Sequence, residues 1–287
     1  MKKNNTMMKT LLALTTSILL SFSASSQCDT VKYDETFKTN GSYVKGFLAC
    51  DKKEGEWKFY DKQNRLLKVT HYSKGQLHGV QSVWFNNGQQ KSYENYNGGL
   101  LDGAYQTWTE DGQMLEEFFY VNGQLEGVIK EWFADGKQKS TTTYIEGKKS
   151  GEYEVYWENG NLKEKGKYLT GEPEGEIKSF YQNGKLSSEI NYANGVQDGR
   201  YASYFENGNL SSEGEYQEGK QVFLWKSFHE NGQLSAQGSY LGGSKDGLWE
   251  EWFLTGLPKS KGSFINGEKI GTWEEWTSTG DKSKVKY

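Results

Sequence analysis

Apolar and polar residues alternate in short runs along this chain, and the alternation restarts at a fixed interval. In residues 209–216, Leu210, Ser212, Gly214 and Tyr216 share one side of an extended chain, and Asn209, Ser211, Glu213 and Glu215 share the other. That period of two is the pattern of a strand with unlike faces. Residues 199–205 are rich in aromatics, as strands are. Between the two runs, Glu206-Asn207-Gly208 supplies residues that accept the positive φ of a tight hairpin turn. Gln217 to Val222, centred on Gly219, turns the chain again. The pattern predicts one β-hairpin.

The same hairpin recurs along the chain. Glycine stands at 55, 79, 103, 127, 151, 175, 199, 247 and 271, with Phe223 in the one place the series skips. A second series runs from Gly88 to Gly280, preceded by Asn64, and a third from Gly75 to Gly267 without a gap. All three advance by 24 residues, so ten units fill residues 55–287 without insertion or deletion. A fixed period of this length marks a repeat architecture, in which each unit buries its apolar face only against its neighbours. The expectation is an all-β protein: an elongated, twisted antiparallel meander of tandem hairpins.

Aromatic residues keep the register. Counting from each unit glycine, position six runs from Tyr60 and Trp84 to Trp276 without a break, and position eighteen from Tyr72 to Phe264. Their continuity predicts packing rows. Position three carries Trp57, Tyr105, Tyr153, Tyr201, Trp225, Trp249 and Trp273, and position seven carries Phe85, Phe133, Trp157, Tyr181, Phe205 and Phe253. Position seven is interrupted by Asp61, Thr109, His229 and Thr277. Both have the opposite parity to position six. They predict a second apolar stripe, either covered or exposed as an interaction surface.

The ends differ from the middle. Lys2, Lys3 and Lys9 precede a short apolar stretch, Leu11 to Leu20, and Ala24 and Ser26 suit a cut before Gln27. Residues 1–26 therefore read as a signal peptide, and the chain as exported to the periplasm, the outer surface or the medium. An uncleaved anchor or a lipid on Cys28 is the alternative, although Ser25-Ser26-Gln27 lacks the residues of a lipoprotein signal. Residues 27–54 fit the register poorly and read as an N-terminal cap. Cys28 and Cys50, the two cysteines of the chain, predict a disulfide there in an oxidising compartment. At the far end, Lys282, Lys284 and Lys286 charge the last strand, which discourages further strand addition.

Composition narrows the function. Removing residues 1–26 takes away three lysines and changes the net charge from −4 to −7. An acidic chain is a poor partner for nucleic acid or anionic lipid. His71, His78 and His229 fall at unrelated unit positions and form no metal spacing. Acids recur before the unit glycine, at Glu54, Asp102, Glu126, Glu174, Asp198 and Asp246. Single carboxylates lack the dense spacing of a calcium loop and read as turn residues. No catalytic constellation, metal site or cofactor motif stands out from the repeat, so the chain reads as a non-enzyme.

The repeat Gly-x-Trp/Tyr-x-x-Tyr/Trp-x-x-Asn-Gly-x-Leu, seen in Gly247-Leu-Trp249-Glu-Glu-Trp252 and in Gly151-Glu-Tyr153 with Asn159-Gly160-Asn-Leu162, resembles the MORN-repeat variant family of bacteria over residues 55–287. The resemblance implies a sheet of hairpins used as an interaction scaffold, and no catalytic residues. Some similar proteins carry an antitoxin label, a role that fits an exported chain badly. Eukaryotic MORN repeats associate with membranes, but this chain differs in repeat length and is acidic. Two functions of different class follow: a scaffold that binds another protein, or an aromatic array that binds glycan or cell wall. Flat, exposed rings at positions three and seven would favour the glycan, and burial of those rows the scaffold.

Overall fold

The computed structural model describes residues 28–36 and 41–287. The expected signal peptide lies outside the described residues. The described residues form a single antiparallel sheet of 23 strands. Strands pair with their neighbours in sequence, as a meander requires. One strand is broken at Glu126 into Gln124–Leu125 and Gly127–Trp132, and both pieces pair with Met114–Val121.

Two irregularities recur in each unit and set which residues share a face. Within a hairpin, position three stands opposite position sixteen and position one opposite eighteen, as in Trp57↔Thr70 and Gly55↔Tyr72. Directly opposed residues in an antiparallel pair project to the same side. Positions three, sixteen and eighteen therefore lie on one face, called here the first. A bulge then shifts the register, from Phe59↔Lys68 to Tyr60↔Leu66. Position six follows position three by simple alternation onto the opposite, second face, with positions two, four, fifteen and seventeen, and the bulge brings position twelve there as its partner. Between units the register shifts again, from Thr70↔Gln81 to Tyr72↔Leu77. The unit glycine sits in that irregularity with positive φ, +87° at Gly79, as bulge residues often do.

The two ends of the hairpins turn differently. At one edge, Ser73 and Gln76 flank a two-residue loop in which Lys74 and Gly75 both have positive φ. That is the type I′ geometry matched to strand twist. The acid before the unit glycine caps the amide of that loop one unit later: Glu126 accepts from Glu146 N at 2.8 Å and Glu174 from Asn194 N at 2.9 Å. At the other edge a longer turn is closed by Phe205 N to Asn209 O and Gly208 N to Phe205 O, both 2.8 Å.

The register reaches further toward the N-terminus than the glycine series does. Thr30–Thr36 pairs with Tyr43–Ala49, with Tyr33 opposite Gly46, the position-three and position-sixteen places of a further hairpin. Cys50 and Asp51 form its two-residue turn with positive φ. Over the described residues 28–36 and 41–54 the poor fit is thus a difference of sequence and not of fold. Cys28 and Cys50 are joined by a disulfide, with Cα atoms 5.3 Å apart, which fastens this hairpin at its turn. At the far end the bulge is missing, Trp273 faces Val285, and Tyr287 packs on Trp273.

Candidate functional site

The aromatic rows do not divide as sequence continuity predicts. Position three is the buried row: Trp57, Tyr153, Trp225, Trp249 and Trp273 are all buried, Trp57 to 2% exposure. Ile129 and Ile177 fill the same place in other units. Position eighteen packs between these rings edge to face, as Trp225–Tyr240–Trp249–Phe264–Trp273 do at 5.0–6.1 Å, an arrangement favoured by the ring quadrupoles. The core of this single-layer sheet is therefore the first-face zipper of positions three and eighteen. Position six, expected to pack as well, lies half-buried on the second face, with Tyr156 Oη on Glu154 and Tyr204 Oη on Glu189.

Five of the seven position-three residues proposed as a binding stripe are thus core, and Tyr105 and Tyr201 are half-buried in the same zipper. Position seven is separated from them at the longer-turn edge, where it braces one unit on the next. Trp157 Nε1 donates to Phe180 O at 3.0 Å, Tyr181 Oη to Tyr204 O at 2.6 Å, and His229 Nε2 pairs with Trp252 O at 3.0 Å. Asn159, Asn183 and Asn207 repeat the bracing two residues on. The first-face rings of Phe133 and Trp157 leave an open groove of about 810 Å³, walled also by Lys137, Lys139 and Lys163. Lys163 Nζ lies 4.5 Å from the Trp157 ring centroid.

The solvent-exposed apolar stripe lies elsewhere, on the second face beside the two-residue turns. Position two contributes Val128, Leu224 and Leu248, and position nineteen Val121, Ile145, Leu169, Leu241 and Ile265, all between 42% and 66% exposed. Phe119 at position seventeen and Leu100 at position twenty-two extend it. Phe223 adds an aromatic ring, 63% exposed, in a left-handed backbone with φ +58°. A Cβ at the equivalent glycines 79, 103 and 199 would approach His71, Asn95 and Asn191 at position seventeen, which places Phe223 toward the second face too. Isolated exposed hydrophobes are ordinary, but here they gather in two groups, Phe119 to Leu169 and Phe223 to Ile265, separated by Glu176, Arg200 and Gln217, and grouped exposed hydrophobes mark a contact surface. The signal was present in the sequence at positions two and nineteen, though it is aliphatic and carries no aromatic ladder.

Charges on the two faces follow the same lattice. Across the second face, Lys130 meets Glu117 at 3.5 Å, Lys178 meets Glu189 at 2.7 Å and Lys261 meets Glu250 at 2.7 Å. On the first face, where Gln81 replaces an aromatic, Glu94 accepts from Gln81, Ser92 and Tyr96 at 2.6–2.8 Å. Burial raises the Tyr96 phenol far above its ordinary pKa, and the Glu94 bond adds to the shift. Burial does the same at Tyr153, helped by Glu164. Tyr156 is pushed up to about 12, chiefly by its bond to Glu154. These tyrosines are held neutral as structural donors. Among the described residues, no three His, Cys, Asp or Glu side chains are grouped to hold a metal ion.

Five stretches, residues 101–122, 149–169, 173–194, 197–218 and 224–241, match the family model described as MORN repeat variant. Four begin just before a unit glycine; the fifth begins directly after Phe223, where that glycine is lost. The match is to the repeat and carries no toxin–antitoxin description. No curated protein matches. Among solved structures, a TcdB2-TccC3-Cdc42 crystal structure aligns at 12% identity and a TM-score of 0.14 over 89% of this chain, which spans 20% of the matched chain. A porin-like protein from Bacteroides uniformis aligns at 8% identity and a TM-score of 0.14, covering 90% of this chain and 94% of its own. Scores this low carry no argument.

Proposed function

We propose that this chain is an exported, non-catalytic scaffold that binds another protein through the apolar stripe of its second face. The observation that carries this reading is the row of Val121, Val128, Ile145, Leu169, Leu241, Leu248 and Ile265, open to water on a sheet with a separate buried core. Aliphatic side chains of this kind gain from contact with another apolar surface, and they offer no flat ring to a sugar. Export is supported by the basic-then-apolar start of the chain and by the Cys28–Cys50 disulfide, a bond that persists in oxidising compartments. The test is recovery of bound proteins from the native host with wild type and with Ile145→Asp. A partner held by wild type and lost by the variant supports the reading. A partner that both retain contradicts it.

Glycan binding is the second reading, favoured by the groove between Phe133 and Trp157 with its lysines. Binding to a glycan array that Trp157→Ala abolishes would establish it. The antitoxin-like role suggested by resemblance gains no support from the repeat match and conflicts with export.

A further inference from the structure

The stripe is not electrically neutral along its length, and the imbalance says what kind of partner fits it. In units three to five the apolar side chains Phe119, Val121, Val128, Ile145 and Leu169 border the two-residue-turn edge, which runs on into unit six. That edge carries Glu126, Glu146, Glu152, Glu172, Glu174, Glu176 and Asp198 against Lys148, Lys149 and Lys167. Three of these acids are fixed in place. Glu126, Glu174 and Asp198 each use one carboxylate oxygen to cap a turn amide, at 2.8, 2.9 and 3.1 Å. They hold the same place in units three, five and six, while unit four has Ser150 there and offers Glu146 in its turn instead, so acidic side chains recur along an edge that advances about 9.6 Å per unit of two strands.

We propose, resting on the scaffold reading above, that units three to five bind a cationic amphipathic helix laid across the strands. The spacing suits a helix. Residues seven apart on an α-helix rise about 10.5 Å, close to one unit of the sheet. A helix with an apolar ridge and Lys or Arg repeating every seven residues therefore meets one aliphatic cluster and one carboxylate per unit. Three units call for about 20 residues of helix. An extended peptide gains its main-chain hydrogen bonds at a sheet edge and could not use this face in the same way. The acidic edge disfavours an anionic membrane, and it disfavours a second copy of this net-acidic chain. Capped carboxylates lose little freedom when a cation arrives, because their positions are already set.

The experiment uses the full exported chain and a synthetic 21-residue helix of three heptads, with leucine on one face and lysine flanking it. Two comparison peptides carry glutamate for lysine or a scrambled order. The lysine helix should bind, and weaken by about tenfold in Ile145→Asn/Leu169→Asn, as loss of an anchoring pair does. It should weaken also in Glu172→Lys/Glu176→Lys and with rising salt. Unchanged melting of the variants shows that exposed positions were altered without loss of fold. Equal binding of the glutamate helix or of phosphatidylglycerol vesicles overturns the proposal. So does self-association at the same concentrations that Ile145→Asn/Leu169→Asn abolishes, or lysine-helix binding indifferent to that variant. If the lysine helix fails while a natural partner still requires Ile145, the helix chemistry is wrong and the scaffold reading stands.

Discussion

The indole of Trp225 lies directly on the backbone of Gly214, so close that a Cβ added there would stand 2.2 Å from the ring. The same relation joins Trp57 to Gly46, Trp249 to Gly238 and Trp273 to Gly262. All four tryptophans of position three thus lie on a glycine eleven residues earlier. Where the ring is smaller the glycine is released, as in Thr142 opposite Tyr153. The indole N–H of Trp57, Trp225 and Trp249 is satisfied by the sheet itself, as in Trp249 Nε1 to Ser239 O at 3.0 Å, whereas that of Trp273 is buried without a partner. Gly214→Thr should therefore destabilise the array by about 2–5 kcal/mol through overpacking. Adding Trp225→Tyr, which copies the Thr142–Tyr153 pair, should recover a large part of it. Denaturant unfolding of the two single variants and the double variant measures the coupling; strict additivity would contradict the account.

The buried and half-buried aromatic rows should respond differently to truncation. Trp249→Ala empties a core site and should cost about 3–5 kcal/mol. Trp132→Ala, at half-buried position six, should cost under about 2 kcal/mol. Repeat arrays can unfold in stages, so a probe close to each unit is needed. Equal losses would mean that both faces are core.

Phe223 holds a left-handed backbone that nine other units give to glycine. A non-glycine residue there costs about 1 kcal/mol, and its ring is left in water. Phe223→Gly should therefore stabilise the eighth unit by about 1 kcal/mol in thermal or denaturant unfolding, while weakening partner binding. Destabilisation would show that the ring packs after all.

Alkaline pH should unfold the sheet cooperatively. Tyr96, Tyr153 and Tyr156 all have folded pKa values raised above the ordinary tyrosine value. A raised folded pKa contributes stability that is complete below about pH 10, the unfolded value, and is lost as pH climbs through the folded value. For Tyr156 that window closes near 12. Phenolate absorbance and circular dichroism followed together should show these tyrosines ionising only as the sheet is lost. Full ionisation near pH 10 with the sheet intact would contradict this.

Much of this architecture was legible in the sequence, because glycine and aromatic positions repeat without insertion. The faces were not. Parity predicts that positions six and eighteen share one face and positions three and seven the other, but the bulge between Leu66 and Lys68 resets the alternation on the second strand, so position eighteen packs with position three and not with position six. A one-residue shift moves a side chain to the other face. The first hairpin was hidden because Val31 and Asp51 stand where other units have glycine, although the backbone keeps the same register. The exposed stripe was hidden because aliphatic residues at positions two and nineteen are interrupted by Glu152, Arg200 and Gln217 and lack the conspicuous aromatics.

The central claim is that partners meet the aliphatic stripe of the second face. A photoreactive amino acid placed at Ile145 in the native host, and separately at Lys163 beside the first-face groove, tests it directly. Irradiation should yield a discrete protein adduct from position 145 and none from position 163. An adduct from 163 alone would move the binding site to the longer-turn edge and contradict the account.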